Sequence, residues 1–410
     1  MKCRHCNSGL KYVFLDLGIA PPSNAYLNKK ELELPEKQFP LKLYVCHNCW
    51  LVQTEDYSKS DELFTKEYAY FSSVSSSWLE HASRYSEMIS GRLNLNKNSF
   101  VLEVASNDGY LLKNFVAIGI PCLGIEPTDS TADAAEAIGI PVRREFFGED
   151  SARKLKQEGK KADLIIGNNV YAHVPDINDF TKGLKIALKS GGTITLEFPH
   201  LLNLIKYNQF DTVYHEHYSY LSLHVVRLIF KRAGLKVYDV EELSTHGGSI
   251  RVYGCHADDV KKETTPAVNK LIEEEIEFGM QNLPLYLNFQ SEVDKIMHNL
   301  TAFLTEQKQK GRVIGAYGAA AKGNTMLNYG KINKDIVSFV CDAAPSKQGK
   351  YMPGSHIPIL PPSALSELKP DWVLILPWNI KDEVIKQQSV IKEWGGRFLV
   401  SIPELKEVGT

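Results

Sequence analysis

Between residues 99 and 199 the chain alternates short apolar runs with segments of helical periodicity, and this alternation restricts the fold more than any other feature. "SFVLEVAS" (99–106), "PCLGIEPT" (121–128), "VRREFF" (142–147), "ADLIIGNNV" (162–170) and "GGTITLEFP" (191–199) read as five strands, the last following a helix that ends at Lys189. Strands joined by crossover helices lie parallel, with both faces covered. Ser222 and Gly234 predict the cap and the stop of a helix over "LHVVRLIFKRAG", and "LKVYDVEEL" and "SIRVYGCH" read as two late strands. The expected fold class is therefore α/β, a doubly wound and mostly parallel sheet.

A chain of 410 residues exceeds the roughly 250–300 that one core usually serves. Residues 1–68 carry two C-x-x-C pairs, "CRHC" and "CHNC", which point to a zinc-binding domain. Cys3, Cys6, Cys46 and Cys49 are the expected ligands of a structural Zn²⁺, because four thiolates leave the metal no open position. The competing reading is two unrelated thiol pairs, or a redox pair. Residues 69–256 hold the alternating sheet. Residues 257–310, with "VNKLIEEEIEFGM" and "EVDKIMHNLTAFLTEQKQKG", read as a helical connector, and residues 311–410 as a second, smaller α/β domain of Rossmann type. A net charge of −2 supplies no basic field for nucleic acid. No apolar run is long enough to span a membrane, and "MKCRHCNSGLKYVF" has no signal core, so a cytoplasmic protein with reduced thiols is expected. The sequence sets no oligomeric state, and a monomer is consistent with it.

Ligands of open α/β sheets sit at the carboxyl ends of the strands, near the point where strand order reverses. Three features fall there. "EVASNDGY" (103–110) follows the first strand, offering Glu103, Ser106, Asn107, Asp108 and the close backbone approach of Gly109. Glu126 ends the second strand, where a carboxylate can accept both hydroxyls of a ribose. Asn168, in "GNN", ends the fourth and suits an amino acid's polar head. The loop is not G-x-G-x-x-G, so a dinucleotide's phosphates are poorly supplied, and an acidic rim without that cradle favours S-adenosylmethionine over NAD. The competing reading is that Glu103 and Glu126 only cap strands.

"EVASNDGYLL", "GIEP", "NNVYAHVPD", "YHEHYSYLS" and "YGAAAKGNTMLNY", in this order, resemble the sugar C-methyltransferases that act on nucleotide-linked ketosugars. The resemblance spans almost the whole chain. It implies a class I S-adenosylmethionine methyltransferase fold between a zinc-binding domain and a Rossmann-like domain, and methylation of a carbon beside a ketone, at C3 of a 4-keto-deoxysugar. "VYHEHYSYLS" (213–222) could bind metal, move protons, hold a ligand or pack. It is not H-E-x-x-H, and it follows the fifth strand, over the cofactor edge. Carbon methylation needs a base for the hydrogen next to the ketone, and His217 is assigned that role. Glu216 orients it or bonds the sugar, Tyr214 is a donor or proton shuttle, and His173 is a second polar group at the same edge. The resemblance brings a tyrosine from "EYAYFSS" into the site, Tyr68 first and Tyr70 second. The bland alternative is an aromatic core with hydrogen-bonded histidines.

"YGAAAKGNT" (317–325) is a strand-to-helix turn whose backbone amides suit a phosphate, with Lys322 adding charge. Asn324, Thr325 and Tyr329, and Lys347 and Gln348 beyond the next strand, are candidate contacts to the remaining oxygens. The resemblance assigns this region to the nucleotide diphosphate of the substrate. Two other functions compete: an O-methyltransferase of a small sugar-like molecule, and a non-catalytic nucleotide-sugar-binding protein.

Overall fold

The computed structural model describes residues 1–55 and 71–409. Three sheets organise them. The first is antiparallel and begins with β1 (Tyr12–Ala20), β2 (Phe39–Val45) and β3 (Val52–Thr54). Phe14, Leu15, Leu41, Leu43 and Val45 turn one apolar face inward, and they share a core with helices and with the third sheet. Phe14 stacks on Phe289 at 4.9 Å between ring centroids. So small a segment has too little apolar surface for a core of its own, which is why it uses the rest of the molecule.

The second sheet holds β4 (Val101–Val104), β5 (Cys122–Ile125), β6 (Val142–Arg143), β7 (Ala162–Asn168) and β8 (Leu188–Pro199), all parallel. The chain then forms β9 (Ser219–Tyr220), β10 (Leu235–Leu243) and β11 (Ser249–His256). β11 runs antiparallel to both β8 and β10, and the full order is β10-β11-β8-β7-β4-β5-β6. Strand order therefore reverses between β4 and β7, and the crevice at their carboxyl ends is where a ligand is expected. This order, with one antiparallel strand beside the edge, is that of the class I methyltransferases.

Two elements depart from the sequence reading. β8 begins at Leu188 rather than at Gly191. A Cβ on Gly192 would lie 2.8 Å from Leu188 Cδ1 and 3.0 Å from the Ala162 carbonyl oxygen, so the glycine lets the strand start against β7. β9, read as loop, pairs with β3 of the first sheet, Val52 opposite Tyr220 and Gln53 opposite Ser219. The helix Leu223–Ala233 is as its sequence predicts: the Ser222 hydroxyl accepts from the Val225 amide, and Gly234 closes it at φ 76°.

The helices Pro266–Phe278, Leu283–Leu287 and Phe289–Gln309 lead to the third sheet. It contains β12 (Ile314–Tyr317), β13 (Phe339–Cys341), β14 (Ile359–Leu360), β15 (Trp372–Ile375), β16 (Arg397–Val400) and β17 (Lys406–Val408) in the order β14-β13-β12-β15-β16-β17. All are parallel except β17.

Candidate active site

A cavity of about 550 Å³ opens over the carboxyl ends of β4, β5 and β7. Its wall draws on all three sheets: Asn24 from the first unit, Asn107, Glu126, Asn168, His173, Tyr214 and His217 from the second, and Lys322, Lys347 and Asn379 from the third.

The floor is the loop after β4. Ala105, Asn107 and Gly109 all take left-handed backbone, at φ 57°, 50° and 75°. A Cβ on Gly109 would come within 2.9 Å of Ile140 Cγ1, so both conformation and space demand glycine there. The fold of this loop turns the Asn107 amide to Glu126, 3.0 Å from Oε2, while the Thr128 amide donates to Oε1 at 2.9 Å. The Glu126 carboxylate is 5% exposed, and each oxygen keeps a further acceptor site toward the cavity. That fits a ribose diol. Both polar atoms of the Asn168 side chain are buried and lack a partner among the described residues, which fits the amino acid end of S-adenosylmethionine. Glu103, Ser106, Asp108 and Gly109 are placed behind this wall and do not line it. Asp108 accepts from the Ser73 amide, and Asn107 from that of Ser72. Burial, with Glu126 and Asp108 close by, holds the Glu103 carboxyl well above the usual range. Phe146, expected in a strand, lies beyond β6 and lines the cavity with 54% of its surface open, a flat apolar face near Glu126.

The tyrosine–histidine loop forms the opposite side. His217 is 7% exposed, and its ring lies 4.0 Å from that of Tyr214 and 4.6 Å from that of His173. Its Nδ1 is 3.0 Å from the Thr212 carbonyl oxygen. A carbonyl can only accept, so Nδ1 carries the proton and Nε2 keeps the lone pair. Burial, then the neighbouring His173, holds His217 well below the ordinary histidine range, and burial pushes His173 down to about 4. Both imidazoles are neutral near pH 7. The Glu216 carboxylate accepts from Asn24 Nδ2 at 2.7 Å. His215 turns away, its Nε2 3.2 Å from the Phe39 carbonyl oxygen. Together with β9 and the Thr54 hydroxyl, which donates to the His217 carbonyl at 3.3 Å, these contacts clamp the loop to the first sheet. Tyr68 and Tyr70 fall outside the described residues.

The third side is the start of the helix Ala321–Tyr329, which has no side-chain cap. Lys322 Nζ donates to Asn379 Oδ1 at 2.7 Å and stands 4.9 Å from the Trp378 ring centroid; Lys347 Nζ donates to the Ala319 carbonyl at 2.7 Å. Burial lowers both lysines from their usual value, opposed by Asp211 and Asp342 respectively. The remaining candidates do not line the cavity. Thr325 donates to the Val213 carbonyl and Asn324 to that of Ser23, so both tie the helix to neighbouring loops. Gln348 donates to the Asp342 carbonyl, and the Tyr329 hydroxyl pairs with Asp294 and Gln290.

Away from the cavity, the sulfurs of Cys3, Cys6, Cys46 and Cys49 lie within 4.8 Å of one another, with Cys3 to Cys49 and Cys6 to Cys46 at 3.5 Å. Thiolates about 2.3 Å from one zinc would be close to this spacing, so the donor set fits the metal.

Asn24, Trp78, Phe146, Asn169, His246 and Asn379 also line the cavity. Only Asn169 stood in a recognisable motif, "GNN"; the others are single residues in unrelated segments, and only folding gathers them.

Comparison with known proteins covers most of the chain. Residues 3–64 match the family model "Putative zinc binding domain", 78–240 a methyltransferase domain, and 244–403 a C-methyltransferase C-terminal domain. A curated relative, the C-methyltransferase NovU of Streptomyces niveus, is 31% identical over 403 residues, 98% of this chain and 96% of its own length. Among solved structures, the PH0226 protein of Pyrococcus horikoshii has 15% identity and a TM-score of 0.38, covering 47% of this chain and 99% of its own. Magnesium protoporphyrin IX methyltransferase of Synechocystis has 14% identity and a TM-score of 0.32, covering 43% and 76%. Neither structural likeness is close enough to inform this chain's chemistry.

Proposed function

The chain belongs to the C-methyltransferase family, and on that premise we propose that it methylates C3 of a nucleotide-linked 4-keto-deoxysugar, with His217 as the general base. The observation that carries this reading is the tautomer of His217: the Thr212 carbonyl accepts a hydrogen bond from Nδ1–H, which leaves a basic Nε2 on a neutral ring lining the cavity. A hydrogen next to a ketone is acidic enough for such a base, whereas an ordinary sugar C–H is not. His217 takes that proton, and the C–H electron pair forms the enolate. When bound, S-adenosylmethionine supplies an electrophilic methyl group and departs as the neutral thioether. Tyr214, its ring tilted 35° against that of the base, is positioned to donate to polar groups of the sugar. Glu216, tethered by Asn24, faces the same space.

Lys322, Lys347 and the uncapped helix start hold the diphosphate in this reading. Contacts remote from the reacting carbon then fix its position, which lowers the entropic cost of the transition state. The test is a mass measurement after incubation with labelled S-adenosylmethionine and a panel of 4-ketosugar nucleotides. One added labelled methyl on carbon is expected. Label on oxygen would replace this reading with O-methylation, and no transfer to any member of the panel would remove the substrate class.

A further inference from the structure

His246 stands in the turn between β10 and β11, in no motif that the sequence offers, yet it lines the cavity. Its backbone is left-handed, at φ 52°, and it is followed by Gly247 and Gly248 at φ 88° and 117°. Its hydrogen-bond partner Asn169, just beyond β7, is left-handed too, at φ 53°. Two non-glycine residues in this conformation, bonded to each other across a cavity wall, are the kind of local strain that clusters at functional sites. The ring is further held by Trp78, 5.3 Å between centroids, itself stacked on His81 at 4.9 Å.

The bond to Asn169 decides the tautomer. Asn169 Nδ2 lies 3.1 Å from His246 Nε2, and an amide nitrogen only donates. Nε2 therefore accepts and Nδ1 carries the proton, with no hydrogen-bond partner among the described residues. Burial, then the Lys322 charge, pushes His246 down to about 4, so the ring is a neutral donor. His217 and His246 line the same cavity. Among the described residues, His217 thus keeps an unpartnered lone pair and His246 an unpartnered N–H, complementary roles in a cavity that the neutral His173 also lines.

We propose that His246 is a further catalytic residue, donating from Nδ1 to the carbonyl oxygen of the substrate while His217 removes the neighbouring proton. The inference rests on the ketone substrate proposed above. The C–H bond breaks toward a new carbon–carbon double bond, the carbonyl π pair moves onto oxygen, and the proton passes to His217 Nε2. His246 keeps its own proton and stabilises the oxygen by hydrogen bonding. A neutral imidazole suits this task, since it donates without giving up a proton to the enolate.

The experiment reads proton abstraction apart from methyl transfer. The full-length, zinc-loaded protein is placed in deuterated water with a 4-ketosugar nucleotide and S-adenosylhomocysteine in place of the methyl donor, and deuterium at C3 is followed by mass spectrometry. Loss of one such donor typically costs about 10²–10³-fold, so His246→Leu is expected to slow exchange by that order while leaving the KM for S-adenosylmethionine unchanged. His246→Asn, whose amide nitrogen sits near the place of Nδ1, should recover part of the loss. Asn169→Asp should slow exchange with the histidine intact, because a carboxylate draws the ring proton to Nε2 and reverses the tautomer; this variant keeps the test decisive if His246→Leu does not fold. Exchange at the wild-type rate in His246→Leu, or in Asn169→Asp, overturns the proposal. So does a raised KM for the methyl donor with normal exchange, which would make His246 a cofactor contact. A wild-type protein that exchanges no ketosugar defeats the substrate reading itself, and is told apart by failing before any variant is made.

Discussion

At the scale of single residues, the proposed chemistry turns on which nitrogen carries a proton. The Thr212 carbonyl sets the tautomer of His217, and burial keeps the ring neutral. His217→Asn should nearly abolish turnover, by about 10²–10⁴-fold, while both ligands still bind by calorimetry; a variant with wild-type kcat would refute the assignment. The sign of the pH dependence follows. A base must be unprotonated, and His217 is held below the ordinary histidine value. The acid limb of kcat/KM should therefore fall below pH 6.5, and a limb above it would mean that the titrating group is another one. That His217, Glu216 and Tyr214 line one cavity was legible because they sit together in one string. His246 was not, because one histidine beside two glycines looks like any turn until Asn169 and Trp78 are brought to it.

At the scale of elements, the first sheet does more than carry a metal. It pairs β3 with β9, receives the His215 ring at Phe39, and ties Glu216 through Asn24. The Cys46–Cys49 turn joins β2 to β3, so the cysteine cluster and the strand that holds the tyrosine–histidine loop are neighbours in one hairpin. Cys46→Ser is expected to lower bound zinc and to speed backbone hydrogen exchange across residues 213–222, with kcat falling more than the affinity for S-adenosylmethionine. Metal content by emission spectroscopy together with peptide-resolved exchange checks both; full zinc occupancy would contradict the four-thiolate site, and an unchanged loop would uncouple the two. The cysteine spacing was plain in the sequence. The pairing of β9 was not, because two residues in a polar, aromatic stretch carry no period-two signal.

At the scale of the whole molecule, the cavity exists only because three sheets meet. Trp378 of the third unit donates to the buried Asp211 of the second at 2.7 Å, and Thr325 caps the loop at Val213. Bringing neutral histidines into this junction has a consequence for acid stability. His173 and His246 are pushed down to about 4, and His215 and His217 are lowered as well, all chiefly by burial. The unfolded chain then binds more protons than the folded one between pH 6.5 and about 4, so these groups favour unfolding as pH falls through that window. Asp211, raised to about 6 by burial, acts in the opposite sense. Metal release at low pH affects every variant alike, so the difference between variants is the clean measure. The drop in Tm from pH 7 to pH 5 should be shallower for His246→Asn than for the wild type in scanning calorimetry. Parallel curves would mean that His246 is not buried as a neutral ring.

The sequence by itself determined the sheet of the central unit, the four cysteine ligands and the rim of Asn107, Glu126 and Asn168. Each rests on local causes: apolar runs between helical segments, fixed thiol spacing, and residues at strand ends. The tertiary structure alone decided which polar side chains face the cavity. It turned Thr325, Asn324 and Tyr329 to other partners, brought in Asn24, Asn169 and His246, and selected a tautomer for His217 and for His246. The physical reason is that a side chain's protonation and direction are fixed by the acceptors and donors packed against it, and those come from segments far apart along the chain.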